Sequence, residues 1–155
     1  MVRCILHVST DDLTSDDFRA LAEFRYEIRA FLHFSEEAAR TEGLSPQQHQ
    51  LLLVLKGLPE GVEATVRTIA ERLHLRHHSA VELTTRLAAS GLIRKQSDRE
   101  DRRRVRLVIT PRGEAVLRRL SVIHRAQLKT RGKDLIRSIR KILKENEGMH
   151  EKRTR

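Results

Sequence analysis

The sequence predicts a mainly α-helical fold with a single β-hairpin (α+β), and three observations lead there. Apolar residues recur at helical spacing over most of the 155 residues. Only two short stretches, residues 92–96 and 105–109, are rich in strand-forming residues, and a charged run alone separates them. Aromatic residues make up 3% and Trp is absent, so the core must be built from Leu, Ile, Val and Ala. Such a core is thin, and chains of this size commonly gain stability by oligomerising.

Residues 1–13 show no regular pattern. Thr14 or Ser15 is a plausible N-cap, with Asp16 and Asp17 near the positive helix end. Phe18, Leu21, Phe24, Ile28, Phe31, Leu32, Ser35 and Ala38 then mark a long first helix that ends before Gly43. Ser45-Pro46 restarts a helix as cap and first residue; Leu51, Leu52, Val54 and Leu55 are its apolar part, and Gly57 suits its end. Pro59 and Gly61 mark a loop. A short helix over 66–73 places Ile69, Ala70 and Leu73 on one face, and a tight break at His74 leads into a further helix ending at Gly91. In the second strand Val105, Leu107 and Ile109 alternate with Arg106 and Val108, which predicts one packed face. Thr110-Pro111 caps a helix carrying Ala115, Val116, Leu120 and Ile123. After Gly132 a final helix bears the stripe Leu135, Ile136, Ile139, Ile142 and Leu143, too apolar to face water on a small monomer. Residues 1–155 thus read as one unit, in which outer helical regions (14–57 and 111–147) carry a compact centre (62–110). That organisation suggests a reader domain on an assembly domain.

The net charge is +10, and its location is uneven. Residues 1–60 hold 6 Lys and Arg against 10 Asp and Glu, residues 61–111 hold 11 against 6, and residues 112–155 hold 14 against 5. An anionic partner, nucleic acid first among candidates, should meet the centre and the C-terminal part. A lone cysteine, Cys4, excludes an intramolecular disulfide and any Cys-rich zinc module. No apolar run approaches the ~20 residues of a membrane span, and the N-terminus does not read as a signal peptide. A cytoplasmic location with no membrane partner is the expectation. No Gly-rich phosphate loop, nucleophile elbow or carboxylate pair with a plausible base is present, so neither enzyme activity nor a cofactor is expected.

The centre carries the function. Two helices joined by a few residues form a helix-turn-helix when the first packs across the second. Leu75 would plug the turn, and Ala80, Leu83, Thr84 and Leu87 share the core face of the second helix. At 100° per residue, His78, Glu82 and Thr85 lie opposite, flanked by His77, Val81 and Arg86, with Arg76 just ahead. Such a short-reach polar face can enter the major groove of double-stranded DNA. There Glu82 could accept from a cytosine amino group, Val81 could meet a thymine methyl, and Thr85 could reach a base or a phosphate. The plainer alternative is a helical hairpin with a solvated face. The hairpin that follows weighs against it: Arg99, Arg102, Arg103 and Arg104 at the tip of a narrow projection suit phosphates and the minor groove.

The run Asp98-Arg99-Glu100-Asp101-Arg102-Arg103-Arg104 and the strand to Thr110-Pro111-Arg112-Gly113 resemble the wing signature of the MarR family of regulators, Asp-Pro-x-Asp-Arg-Arg, a strand, then Leu-Thr-x-x-Gly. Residues 65–73 are similar to that family's first motif helix, Ser90-Gly91-Leu92-Ile93 to its helix-to-wing joint, and Gly43-Leu44-Ser45-Pro46-Gln47-Gln48 to its second-helix start. The likeness covers about residues 16–147. It implies a winged helix-turn-helix over 62–110 with dimerisation helices at 14–57 and 111–147, and an obligate homodimer reading a palindrome. It also implies that Arg103 enters the minor groove, with Asp101 holding its guanidinium by a charge-assisted hydrogen bond. The function implied is a sequence-specific transcriptional regulator, a repressor, released by a small aromatic or phenolic effector in a cleft lined by the first, second and fifth helices. Arg29, His33 and His49 stand on helices expected to line that cleft; the alternative for each is a surface or satisfied core residue. For the chain as a whole the alternative is a nonspecific basic protein that coats DNA.

Three positions depart from the family pattern: Arg99 replaces the wing proline, His74 stands where Gly is usual, and Arg76 where a Ser or Thr cap is normal. A zinc-sensing branch uses a Glu-His pair early in the second helix and paired histidines in the fifth. Here the pair is Gln48-His49 and only His124 remains, and the neighbours His77 and His78 cannot easily face one ion, so no metal is expected. A peroxide-sensing branch keeps its cysteine inside the first helix, whereas Cys4 precedes it, which favours a thiol of ordinary reactivity.

Overall fold

Seven elements follow in chain order: α1 (Ser15–Thr41), α2 (Pro46–Lys56), α3 (Val66–Arg72), α4 (His77–Ala89), β1 (Ile93–Ser97), β2 (Val105–Ile109) and α5 (Pro111–Glu151). The computed structural model describes residues 13–97 and 105–151. Cys4 and the wing-tip candidates Asp101, Arg102, Arg103 and Arg104 lie outside the described residues.

Short polar residues start the helices where the sequence places them. Thr14 exchanges bonds with Asp17: its backbone N–H donates to Oδ2 at 2.6 Å, and its Oγ1 accepts from the Asp17 N–H at 3.3 Å. Ser45 and Gln48 form a full capping box, with Pro46 as the first helical residue. Thr65 accepts from the Thr68 N–H to open α3. Gly57 closes α2, its N–H donating to the Leu53 and Val54 carbonyls. Thr110 opens α5 by accepting from the Gly113 N–H at 3.1 Å while its hydroxyl donates to the Gly91 carbonyl at 2.8 Å.

β1 and β2 pair antiparallel, Ile93 opposite Ile109 and Ser97 opposite Val105. Leu107 is buried, and its N–H donates to the Ala64 carbonyl at 2.7 Å, so the loop ahead of α3 extends the pairing on the other edge of β2.

One expectation is corrected. The sequence reading breaks the C-terminal region at Gly132, yet α5 is a single helix of 41 residues. A lone interior Gly costs only about 1 kcal/mol relative to Ala. Each residue added to an existing helix needs just one further hydrogen bond, and Arg131 and Lys133 on either side are good helix formers. Without a turn-forming neighbour, Gly132 weakens the helix and does not end it.

The chain divides into two compact units: Phe34–Arg125, and the residues up to His33 together with those from Ala126 onward. The first holds the hydrophobic core: Ala38, Ala39 and Leu44 join Leu51 and Leu52 of α2, Ile69 and Ala70 of α3, Ala80, Leu83 and Leu87 of α4, the hairpin's Ile93 and Leu107, and Val116, Leu117 and Leu120 of α5. In the other unit only Ala20, Glu27 and Ser138 are buried among the described residues.

Gly113 is held by packing. A Cβ there would collide with the Leu92 carbonyl oxygen and come 3.0 Å from Ile109 Cγ1. The obstacle is backbone, which cannot swing aside. Gly113→Ala is therefore expected to destabilise the fold by about 3 kcal/mol. Urea unfolding of wild type and variant checks this, and a change under roughly 1 kcal/mol contradicts the packing described.

Candidate nucleic-acid interface

α3 and α4 are held by their small and branched residues. Ile69 and Ala70 of α3 and Ala80, Leu83 and Leu87 of α4 are buried in the same cluster, with Leu73 and Leu75 packed against it. The turn between them places His74 at φ 52°, a left-handed conformation that a side chain adopts at a cost. The Leu75 N–H then donates to the Ala70 carbonyl at 2.8 Å and closes the turn. Thr84 is fully buried among apolar residues, and its hydroxyl is satisfied by donating to the Val81 carbonyl at 2.9 Å.

With that face fixed inward, the helical period turns the rest outward. His77, His78, Val81, Glu82, Thr85 and Arg86 are all exposed along one side of α4, and Arg76 is exposed at its start. Every α4 candidate of the sequence reading is thus on one surface. Arg76 serves as N-cap with extended backbone but makes no side-chain cap bond. His74 stands four residues before His78, the spacing of a helical ligand pair, but it lies in the turn and not on α4.

The outer face has internal contacts. Arg86 Nη2 donates to Glu82 Oε2 at 3.2 Å, an exposed pair one turn apart of the kind that contributes little to stability. Thr85 Oγ1 donates to the Val81 carbonyl at 2.7 Å and accepts from Lys95 Nζ at 2.9 Å. Its one proton is therefore engaged, and toward solvent it presents an acceptor. Lys95, from β1, joins the surface although the sequence reading did not single it out. Its position three residues into the strand that follows the helix was the available signal. On β2, Arg106 Nη2 donates to Glu63 Oε1 at 2.9 Å and ties the hairpin to the loop before α3.

The three effector candidates fall in different units. Arg29 and His33 are exposed on α1 in the unit without a core. His49 is buried on α2 in the other unit, its ring 4.7 Å from that of His124. Burial, with His124 beside it, pushes the His49 pKa below the ordinary histidine value. Nearby in the fold, Arg119 holds both oxygens of Glu42 at 2.8 and 2.7 Å, which lowers the carboxyl's pKa.

Residues 42–104, which run from before α2 to the end of the basic run, match the model of the MarR family. A relative from Thauera aromatica, for which a regulatory role in transcription of the hcr operon is proposed, is 31% identical over 96 residues. That match covers 62% of this chain and 56% of the relative, so the chain spans little more than half its length. The fold is similar to that of AbsC, a MarR-family transcriptional regulator from Streptomyces coelicolor, with TM-score 0.67 at 23% identity over 79% of this chain and 82% of that one. It is also similar to a mutant of S. aureus MepR bound to an oligodeoxyribonucleotide, with TM-score 0.61 at 18% identity over 85% and 95% of the two chains. At these identities the structural likeness shows the winged-helix fold. Within that fold α4 is the second helix of the helix-turn-helix, and the β1–β2 hairpin follows it.

The uncapped start of α4 generates a prediction. Arg76→Ser supplies the missing cap acceptor and should stabilise the protein by about 1 kcal/mol while weakening its binding to duplex DNA. Thermal melting and fluorescence anisotropy on one preparation check both signs. A stabilised variant with unchanged affinity would remove Arg76 from the interface.

Proposed function

We propose that this chain is a MarR-family, sequence-specific DNA-binding transcriptional regulator. In this reading it is a repressor that binds a palindromic operator as a homodimer and is released by a small aromatic or phenolic effector. The observation that carries the reading is the outer face of α4, a row of exposed short-reach side chains on a helix whose other face is anchored in the core. The candidate contacts are Arg76, His77, His78, Val81, Glu82, Thr85 and Arg86 from α4 and its cap, Asp101, Arg102, Arg103 and Arg104 from the wing, and Lys95. The match of residues 42–104 to the MarR family model supports the assignment, as does a fold shared with a MepR mutant bound to an oligodeoxyribonucleotide.

The nonspecific DNA-coating alternative fits this face poorly. Val81 is 39% exposed at its centre, beside the carboxylate of Glu82. An apolar side chain and an acid add nothing to attraction for phosphates, whereas both have partners on base edges. No helix among the described residues is long and apolar enough to cross a membrane.

The homodimer is supported by the unit that lacks a core. It leaves Phe18 61% exposed and Tyr26 56% exposed, and Ile136, Ile139 and Leu143 of the α5 stripe are exposed as well. An apolar surface of this extent on one small protomer marks an interface, and a second copy of α1 and α5 is its natural cover. Effector release follows from the family likeness, with Arg29, His33 and His49 as the residues to test.

Selection of bound sites from random duplex should recover a palindrome, and absence of any consensus would favour the coating alternative. On the selected site, Arg103→Ala should lower affinity by 1–3 kcal/mol, roughly, while the variant remains a folded dimer. Equal affinity in a mobility-shift titration removes Arg103 from the interface. A chain ending at Gly132 should aggregate or unfold; a soluble monomer that melts cooperatively contradicts the dimer role of the α5 stripe.

A further inference from the structure

We propose that the buried His49–His124 pair is a proton-operated latch: when either imidazole takes up a proton, the packing of α1 and α5 on α2 loosens and operator binding falls. The operator consequence rests on the DNA-binding function proposed above; the latch itself does not.

The pair joins three helices within one compact unit. His49 of α2 is 4% exposed, and its ring lies against that of His124 of α5 at 39°. His124 Nδ1 is 2.7 Å from the Leu120 carbonyl, which can only accept, so Nδ1 carries the proton. His124 Nε2 is 2.8 Å from Ser35 Oγ of α1 and, in the neutral ring, accepts from that hydroxyl. The edge of the Phe34–His124 contact, with centroids 5.7 Å apart, completes the cluster from α1. The arrangement is thus complete with both rings uncharged.

A proton has no welcome there. Among the described residues no hydrogen bond is made by either ring nitrogen of His49, so its cation would be buried without a partner. Protonated His124 turns Nε2 into a donor, and the Ser35 hydroxyl must give up its present orientation. Phe34 and Ser35 from α1 and the Leu120 carbonyl from α5 face the pair, and none of these titrates near neutrality. Of the carboxylates in the unit, Glu42 pairs with Arg119, Glu36 and Glu37 with Arg40, and Glu114 with Lys56 and Arg118.

The sign follows. The folded-state pKa of His49 lies below 6.5, so an opened state binds the proton more readily. The closed arrangement is fully favoured above pH 6.5 and loses stability as pH falls from there toward the lowered value. Ala38 and Ala39 of α1 and Val116, Leu117 and Leu120 of α5 share the core that seats Ala80, Leu83 and Leu87 of α4, so loosening α1 and α5 loosens the seat of the outer face of α4. His77 and His78 are exposed on α4, where added positive charge would strengthen attraction for phosphate and not weaken it. Acid-weakened binding therefore cannot come from the DNA-facing histidines.

The test uses the full chain. Imidazole nitrogen NMR without DNA should show His49 still neutral at pH 6.5 and below, and a ring that protonates at or above that value overturns the proposal. Affinity for the selected operator duplex should fall on the order of tenfold between pH 7.5 and pH 5.5. His49→Leu, of similar volume, and His124→Gln, which keeps a donor and an acceptor, each leave one imidazole and should each show a smaller fall, and the double variant should show none. If either folded single variant shows the same acid loss as wild type, the latch is wrong. If no duplex is bound at any pH, the DNA-binding function fails by itself, and melting decides the latch. An acid-induced drop in Tm that the double variant abolishes sustains it; an equal drop in that variant and wild type refutes it.

Discussion

The anchoring of α4 on α3 is the contact from which the rest follows. Ala70 and Ala80 are small enough to let the two helices approach, while Ile69, Leu83 and Leu87 fill the space around them. Once those positions are inside, the 100° step leaves no choice about which residues face solvent. The polar surface of α4 is the geometric remainder of its apolar one. Thr84 marks the seam, a polar residue that stays in the core because the carbonyl one turn back satisfies its hydroxyl.

Structural compromise is concentrated at one place. The turn before α4 keeps a non-glycine residue, His74, in left-handed conformation, and the next helix opens on Arg76, which provides no cap. Elsewhere in the same chain Ser45, Thr65 and Thr110 cap with short hydroxyl side chains. Thr14 does the same for α1, so the chain caps four helices and leaves one start uncapped, beside the exposed polar face of α4.

The two units differ in how they can be stable. The unit spanning Phe34–Arg125 contains a continuous core drawn from all five helices and the hairpin. The other unit buries almost nothing among its described residues, yet it carries many large apolar side chains. Hydrophobic burial is the main favourable term in folding, so a unit with so few buried residues gains little from its own described core.

Much of this was legible in the sequence because it is local. Helical periodicity, the Ser45-Pro46 and Thr110-Pro111 starts, the strained position at His74 and the inward set of α4 each depend on residues within a turn or two. The MarR-like wing signature was legible for the same reason. The continuity of α5 through Gly132 was not, since a single glycine is a small local penalty that the helix on both sides outweighs. Partners distant in sequence were beyond reach. Nothing local says that Glu42 meets Arg119, 77 residues on, that Lys56 meets Glu114, or that Lys95 lies over Thr85. Nor does periodicity reveal that His49 and His124 stack in the core. The sequence by itself determined the elements and which face of each turns inward, because both are set by bonding along the chain. Only the tertiary structure decided which distant side chains meet, because that depends on how the helices pack against one another.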